Sequence, residues 1–240
     1  MQLVIDIGNT RVKAAIFEKE ALKEYYVFDS GNQLFAANLF EKHAVTSCIV
    51  ATVVNEIDSF VEKLKEKTSV LLFSGNTPTP ITNCYLSVDT LGSDRLAGAV
   101  GGNLVYPNNN VLVIDAGTCI KYNFVNNKNE FIGGGISPGL EMRFNALHTF
   151  TAKLPLVQID KNFETLIGKN TGESILSGVE IGTLSEIEGI INRYQQEYPD
   201  LITIITGGDV NFFEKRLKKP IFADQFLILK GLNKILDYNH

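Results

Sequence analysis

A repeat at about half the chain length constrains the fold more than any other feature of this sequence. Residues 4–13 resemble residues 113–121 once a single deletion is allowed after Gly117. The alignment pairs acids, glycines, threonines and lysines, namely Asp6, Gly8, Thr10 and Lys13 with Asp115, Gly117, Thr118 and Lys121. A period this long indicates a duplicated domain, because a solenoid repeats over a much shorter length. Coincidence is the alternative, since valine-isoleucine-aspartate before a glycine turn is common, but the match extends over both strands.

Each copy of the repeat opens a similar series of predicted elements. Apolar, β-branched runs separated by glycine turns predict two strands in each copy, and a third strand follows in both. The sharp break at residues 106–110 predicts a boundary between two domains, residues 1–109 and 110–240. Helical spacing predicts helices at 34–42, 55–67, 92–104, 140–149, about 171–197 with Thr171 as N-cap, and 225–237. We therefore expect an α/β protein with two duplicated domains, in which helices flank mixed sheets and a cleft separates the domains.

Composition argues against several classes of function. The 240-residue chain has a formal net charge of -5 and no basic face, which argues against a nucleic-acid binder. Its 3 cysteines are scattered, so neither a disulfide framework nor a zinc site is expected. No apolar run approaches the length of a membrane span, and the first residues lack the basic region of a signal peptide. We expect a cytoplasmic protein that binds neither nucleic acid nor membrane.

The two glycine turns have the chemistry of a phosphate site. Glycine lets a phosphate approach backbone N–H groups, and the hydroxyls of Thr10 and Thr118 can add donors. Asp6 and Asp115 would repel a phosphate, so we expect them to hold cations that bridge phosphate oxygens. Lys13 can reach a terminal phosphate as a point charge. These features predict phosphoryl transfer, although the chain has neither a P-loop nor a dinucleotide-binding glycine motif.

Three further motifs each have a functional and a structural interpretation. In the Gly-Ser-Asp-Arg motif of residues 92–95, Asp94 either favours a helix start or accepts a proton from a substrate hydroxyl. Arg95 can clamp an anionic group. Residues 206–209, Thr-Gly-Gly-Asp, form either a turn with Asp209 as N-cap or a surface for a flat ligand such as adenine. The glycines of residues 133–135 permit either close packing or the approach of a ligand.

In order and spacing these motifs resemble the type III pantothenate kinase family along nearly the whole chain. The resemblance rests on Asp6–Thr10, Gly92–Arg95, Asp115–Thr118 and Gly133–Gly139. It implies the superfamily of acetate kinase, sugar kinases, Hsp70 and actin, and hence two ribonuclease H-like domains. It also implies a homodimer that uses ATP, Mg²⁺ and a monovalent cation, K⁺ or NH₄⁺. The implied reaction is phosphorylation of pantothenate to 4′-phosphopantothenate, the first step of coenzyme A biosynthesis.

The resemblance also implies roles for individual residues. The ATP phosphates would contact Thr118 and the first turn, which comprises Asp6, Ile7, Gly8, Asn9, Thr10, Arg11, Val12 and Lys13. Asp94 would be the proton acceptor, Asp115 the ligand of the monovalent cation, and Asp6 a Mg²⁺ ligand, directly or through water. Pantothenate would contact Tyr85, Gly92, Ser93, Asp94, Arg95 and Thr171, the last across the dimer interface.

The sequence departs from the family pattern just after the second turn. The family often has threonine and aspartate where this chain has Lys121 and Asn123. Lys121 would then supply positive charge in place of some of the cation's effect. Activity without potassium tests this idea.

Two other functions stay open. Another phosphotransferase or phosphatase of the same superfamily would keep both phosphate turns but leave Gly92–Arg95 unexplained. A non-catalytic accessory regulator would be expected to have damaged acidic positions, whereas Asp6, Asp94 and Asp115 are all present.

Overall fold

The two halves of the chain build sheets of the same topology. The computed structural model describes residues 1–54 and 57–240. The first sheet contains β1 (Gln2–Ile7), β2 (Val12–Glu18), β3 (Ala21–Phe28), β4 (Ser47–Thr52) and β5 (Ser69–Leu72). Its order is β3-β2-β1-β4-β5, with β1 antiparallel to β2 and parallel to β4.

The second sheet repeats this arrangement and adds a short strand at its edge. Its strands are β6 (Thr82–Asn83), β7 (Val111–Ala116), β8 (Cys119–Val125), β9 (Glu130–Pro138), β10 (Ile202–Thr206) and β11 (Phe222–Ala223). Their order is β11-β10-β7-β8-β9-β6, with β7 antiparallel to β8 and parallel to β10. Strands β7 to β11 therefore match β1 to β5 one by one. This confirms the predicted α/β fold with two duplicated ribonuclease H-like domains and mixed sheets.

The central strands β1 and β7 are almost wholly apolar because layers of the protein cover both of their faces. Every residue of β7 is buried, as are all residues of β1 after the first. Each strand nevertheless carries one acid at its penultimate position, Asp6 or Asp115. A buried charge is costly unless it is paired or binds a cation, so these two positions point to a function.

Helices flank the two sheets. They are α1 (Gly31–Ala36), α2 (Leu39–Lys42), α3 (Asp58–Lys65), α4 (Ser93–Val105), α5 (Leu140–Thr149), α6 (Thr171–Leu176), α7 (Gly182–Glu197), α8 (Val210–Glu214) and α9 (Leu227–Tyr238). A π-helical turn, Ser177–Ile181, joins α6 to α7, so the long helix predicted there is continuous. None of the described helices has both the length and the apolar composition that a membrane crossing requires.

Three helix predictions differ from the structure in detail. The helix predicted over 34–42 is split into α1 and α2, because Asn38 adopts a left-handed conformation with a φ of 53°. The helix predicted over 55–67 runs from Asp58 to Lys65, and residues 55 and 56 lie outside the described residues. The N-cap of α6 is Asn170 rather than Thr171, because the Asn170 side chain accepts a hydrogen bond from the backbone N–H of Glu173.

Helices α4 and α9 lie together between the two sheets, and their contact fixes the position of α4. The contact depends on glycine, since a Cβ atom at Gly101 would lie 2.4 Å from the backbone oxygen of Leu227. A Cβ atom at Gly231 would lie 2.0 Å from the backbone oxygen of Ala97. The surrounding core takes apolar residues from both sheets, so α4 is held firmly between them.

The boundary predicted between residues 109 and 110 stays a prediction. It falls between α4 and β7, and it separates the first sheet from all strands of the second sheet except β6. Two elements cross it: β6 pairs with β9 of the second sheet, and α9 packs on β1 and β4 of the first.

Candidate active site

The two repeated turns leave their sheets at equivalent places. Asp6 pairs with Lys13 in the antiparallel ladder of the first sheet, and Asp115 pairs with Lys121 in that of the second. The deletion in the alignment therefore falls within the turn and leaves the pairing of acid and lysine intact. Both acids lie near the carboxyl end of a strand, the end at which open α/β sheets commonly bind ligands.

The first turn of α4 adds a third acid. Gly92 is the N-cap of this helix, and the hydroxyl of Ser93 donates to the carbonyl oxygen of Thr52 at 2.9 Å. This bond ties the start of α4 to the end of β4. One oxygen of Asp94 accepts a hydrogen bond from the backbone N–H of Arg95 at 2.8 Å. The other oxygen of Asp94 is directed to the second hairpin.

Lys121 joins the acid of α4 to the acid of the second hairpin. Its Nζ lies 2.6 Å from Oδ2 of Asp94 and 2.8 Å from Oδ2 of Asp115. Burial alone would lower the pKa of Lys121, but the charges of Asp115 and Asp94 outweigh burial and raise the pKa. A residue that departs from the family pattern thus holds two of the candidate site residues together.

Asp6 lies in a different electrostatic environment. Burial raises the pKa of Asp6 to about 6; the charges of Lys13 and Lys121 lower it, and those of Asp94 and Asp115 raise it. No salt bridge to Asp6 is found among the described residues. Backbone pairing places Asp6 near the start of α4, because Ile7 pairs with Thr52, whose carbonyl oxygen accepts the hydrogen bond from Ser93.

Arg95 is buried beside these acids and is held on several sides. Its Nε donates to Oδ1 of Asn123 at 2.8 Å, and its Nη1 donates to the hydroxyl of Tyr85 at 3.3 Å. The guanidinium carbon lies 5.2 Å from the ring centre of Tyr85 and 5.9 Å from that of Phe131. Its Nη2 is buried and has no hydrogen-bond partner in the described part of the chain, which is costly for a charged donor.

Two glycines with positive φ bring backbone close to these side chains. Gly133 has a φ of 125°, and a Cβ atom there would lie 3.3 Å from the ring of Tyr85, which favours the close-packing interpretation of this residue. Gly207 has a φ of 99°, and a Cβ atom there would lie 2.6 Å from Oδ1 of Asp115. The Thr-Gly-Gly-Asp motif therefore shapes the surroundings of Asp115, a role that the sequence did not reveal. Asp209 occupies the N-cap position of α8 without a side-chain capping bond in the described structure.

The other candidate residues lie at the margin of this group or away from it. Exposed residues in or beside the turns are Asn9, Thr10, Arg11 and Thr118. Ile7 and Val12 bury their side chains in the core of the first domain, so only their backbone atoms can contact a nucleotide. Thr171, the exposed first residue of α6, forms no side-chain hydrogen bond with the rest of the group within residues 1–54 and 57–240.

The acids do not form a metal cage made of protein alone. Among the described residues, no three His, Cys, Asp or Glu side chains come close enough to hold a metal ion. A Mg²⁺ ion that is shared with phosphate oxygens needs only one or two carboxylates. Asp6 fits that role better than Asp115, because the carboxylate of Asp115 is already paired with Lys121.

A separate cavity of about 560 Å³ lies at the opposite end of the first sheet. Its lining includes Gln2 and Ser47, at the starts of β1 and β4, and Asp237 near the end of the chain. None of the candidate site residues lines it. This cavity is therefore separate from the candidate site.

Comparisons with known protein sequences point to one family. A sequence model described as type III pantothenate kinase matches residues 2–193. A type III pantothenate kinase from Bacteroides fragilis is 44% identical over 241 residues, which cover 100% of this chain and 99% of that protein.

Solved structures with low sequence identity share the fold. A Campylobacter jejuni protein described as a Baf family transcriptional activator is 19% identical, has a TM-score of 0.64, and aligns over 99% of this chain and 98% of that chain. An inorganic polyphosphate/ATP-glucomannokinase from Arthrobacter is 13% identical, has a TM-score of 0.55, and aligns over 100% of this chain and 99% of that chain. These structural likenesses concern the fold alone, whereas the sequence matches extend over most or all of the chain. This chain therefore belongs to the type III pantothenate kinase family.

Proposed function

We propose that this protein transfers the γ-phosphoryl group of ATP to the terminal hydroxyl of pantothenate and so starts coenzyme A biosynthesis. One observation carries the proposal: Asp94 and Asp115 converge on Lys121 of the second hairpin, and the hydrogen bond from Ser93 to Thr52 ties the same helix start to β4, the strand beside Asp6. Phosphoryl transfer depends mainly on positioning and on charge neutralisation, and this group can supply both. Membership of the family supports the same reaction. We expect it to occur in the cytoplasm.

Asp94 is the proposed proton acceptor. The hydroxyl oxygen of pantothenate forms a bond to the γ-phosphorus, while the bond between that phosphorus and the bridging oxygen of ADP breaks. The hydroxyl proton passes to the carboxylate of Asp94, whose oxygens each have more than one lone pair and can accept it beside their existing bonds. The fixed start of α4 and the salt bridge to Lys121 support this role, because they orient the carboxylate before substrate binds.

The phosphates of ATP would lie along the two glycine turns. Backbone N–H groups of both turns, with the hydroxyls of Thr10 and Thr118, would stabilise negative charge as it moves from one oxygen to another. Asp6 would hold Mg²⁺, directly or through water, and the bound ion would neutralise charge on the phosphate oxygens. Lys13, opposite Asp6 in the ladder, would contact a terminal phosphate.

The carboxylate of pantothenate would bind Arg95. The guanidinium group is already oriented by Tyr85 and Asn123, which leaves little side-chain entropy to lose when a ligand arrives. Asp94 contacts Lys121 and Arg95 contacts Asn123, two residues apart on β8, so one bound substrate would reach both side chains along that strand. Gly92 and Ser93 would complete the wall of this pocket.

We propose a homodimer in which Thr171 of the partner subunit reaches the pantothenate site. Large apolar side chains on and beside α5 support a contact surface there, since Ile136 is 62% exposed, Met142 39% and Phe150 86%. Light scattering coupled to gel filtration tests the oligomeric state. A mass equal to that of one chain would contradict the dimer.

The resemblance implies a monovalent cation at Asp115. The surroundings of Asp115 suit that cation less well than the surroundings of Asp6 suit Mg²⁺. The carboxylate expected to bind K⁺ or NH₄⁺ lies 2.8 Å from the ammonium group of Lys121. A second positive ion on the same carboxylate would be repelled by the first.

Product analysis tests the proposed reaction. The purified protein is incubated with ATP, Mg²⁺, KCl and pantothenate, and the products are identified by mass spectrometry. Equal amounts of ADP and 4′-phosphopantothenate are expected. ADP formation that does not depend on pantothenate would favour a phosphatase or another phosphotransferase, and no ADP formation at all would favour an accessory regulator.

A further inference from the structure

We infer that the ammonium group of Lys121 takes the place of the monovalent cation, so that nucleotide binding and phosphoryl transfer require no added K⁺ or NH₄⁺. The part of this inference that concerns phosphoryl transfer rests on the proposed function. The part of Lys121 in nucleotide binding can be measured without pantothenate. This role replaces the expectation that Asp115 binds a free ion.

Lys121 gives Asp94 and Asp115 the positive neighbour that a cation would supply. Its Nζ lies 2.6 Å and 2.8 Å from their carboxylates, which are the lengths of charge-assisted hydrogen bonds. The ammonium group carries the same single charge as K⁺ and the same kind of N–H donor as NH₄⁺. Two of its three donors bind the carboxylates, so one remains for a phosphate oxygen.

The polypeptide itself holds this charge in place. Lys121 stands directly opposite Asp115 in the β7–β8 ladder, and its neighbours Ile120 and Tyr122 are buried. The side chain of Lys121 is 21% exposed and that of Asp115 is 9% exposed, so the pair is largely shielded from ions in solution. Because Lys121 is covalently attached, its presence at the site does not depend on the salt concentration.

A second departure from the family pattern changes the charge in the same direction. Position 123 carries an amide where the family often has a carboxylate. Asn123 is completely buried, and its amide oxygen accepts a hydrogen bond from Nε of Arg95 at 2.8 Å. Lysine in place of threonine adds one positive charge, and asparagine in place of aspartate removes one negative charge. Both changes reduce the need for a separate cation.

Potassium titrations of the wild-type protein and of matched variants test this role. Turnover of pantothenate and the Kd of a non-hydrolysable ATP analogue with Mg²⁺ are measured while KCl replaces tetramethylammonium chloride at constant ionic strength. In the wild-type protein both quantities are expected to change by less than about twofold. Lys121→Thr should lose at least about fivefold in both without KCl and recover when KCl is added, because Asp115 is then free to bind the ion.

Two further variants separate charge from structure. Lys121→Arg keeps the positive charge and should stay independent of KCl, whether or not Lys121→Thr folds. Lys13→Thr removes the equivalent lysine of the first hairpin and should bind the analogue more weakly without recovery by KCl, because no salt bridge to Asp6 is described that the ion would replace.

The outcomes distinguish this role from the reaction itself. A wild-type protein whose turnover or analogue Kd improves at least about fivefold with KCl would overturn the role of Lys121. Recovery of Lys13→Thr to the same extent as Lys121→Thr would overturn it as well. If no 4′-phosphopantothenate forms at any KCl concentration, the proposed function fails, and the analogue titration still decides whether Lys121 replaces the cation.

Discussion

The two duplicated hairpins share a register but differ in electrostatics. Asp6 and Asp115 are 8% and 7% exposed, and each stands opposite a lysine in its ladder. Lys121 forms a 2.8 Å salt bridge with its acid, whereas no bridge between Lys13 and Asp6 is found in the parts of the chain that are described. Duplication thus explains the ladder positions of the acids and lysines. The residues packed around each acid decide whether it forms a salt bridge. The difference leaves Asp6 available to a metal ion while Asp115 is neutralised by the protein itself.

The neighbours that cause this difference come from outside the hairpins. Asp94 approaches Lys121 from α4 and gives it a second carboxylate. Gly207 follows the residue paired with Asp115 in β10, and the lack of a side chain lets its backbone approach the acid closely. In the first sheet the equivalent place in β4 is held by Thr52, whose carbonyl oxygen instead accepts a hydrogen bond from Ser93. The residue at this position therefore packs closely against the acid in the second sheet and binds the start of α4 in the first sheet.

Removal of the acid that α4 contributes should have the largest effect. Asp94→Asn is expected to lower kcat by about 100-fold or more, because an amide cannot accept the hydroxyl proton. The KM for ATP should stay within about twofold, since the phosphate turns are unchanged. Steady-state kinetics measure both values. Asp58→Asn, at the exposed first residue of α3, is the matched control and should keep wild-type kinetics. A near-normal kcat for Asp94→Asn would remove Asp94 from the proposed mechanism.

Gly207→Ala tests the close packing that is special to the second hairpin. Besides the short approach to Asp115, its Cβ atom would lie 2.2 Å from the backbone oxygen of Ala116, and the φ of 99° strains any side chain. We expect the free energy of unfolding to fall by about 2 to 3 kcal/mol from backbone strain and overpacking together. Chemical denaturation measures this loss.

Gly208→Ala is the control for this substitution. In the described structure no atom outside Gly208 and its two chain neighbours lies within 4 Å of the added Cβ, so the free energy of unfolding should change by less than about 0.5 kcal/mol. Equal losses in the two variants would show that neither the positive φ of Gly207 nor its close packing is the cause.

The sequence repeat predicts the doubled sheet correctly because the two acids occupy the same ladder position. Local patterns fail where one side chain or a very short segment decides the structure. Asn38 takes a left-handed conformation and divides a predicted helix, and Asn170 caps α6 in place of Thr171. Strands β6 and β11 have two residues each, which is too short for any periodic signal.

The candidate site is predictable in its residue types but not in its geometry. The assignments to ATP, pantothenate and cations stay predictions. The double salt bridge of Lys121 depends on Asp94, which lies 27 residues earlier in the chain and is positioned by the packing of α4 on α9. That packing relies on close contact between Gly101 and the backbone of Leu227, which hydrophobic periodicity does not reveal. Residue spacing alone therefore cannot show which acid is neutralised.

The smallest expected effect concerns the different contributions of Asp6 and Asp115 to the free energy of unfolding. The pKa of Asp6 is raised from 3.8 to about 6, mainly by burial. The folded protein thus holds this proton more tightly than the unfolded chain does, so the free energy of unfolding falls as the pH rises from about 4 through about 6. Asp6→Asn removes this cost of burying a charge. The variant should gain about 2 kcal/mol more over the wild-type protein at about pH 8 than at about pH 4.5.

Asp115→Asn should act in the opposite direction, because it leaves Lys121 with Asp94 as its one remaining carboxylate partner among the described residues. Thermal unfolding without Mg²⁺ and ATP should show stabilisation by Asp6→Asn that grows with pH, and destabilisation by Asp115→Asn at both pH values. If Asp6→Asn also destabilised the protein, Asp6 would be engaged in a favourable ion pair and the contrast between the hairpins would be wrong. Both variants are expected to lose activity, because each removes a carboxylate of the candidate site. Their effects on stability differ in sign because the neighbours of the two acids differ.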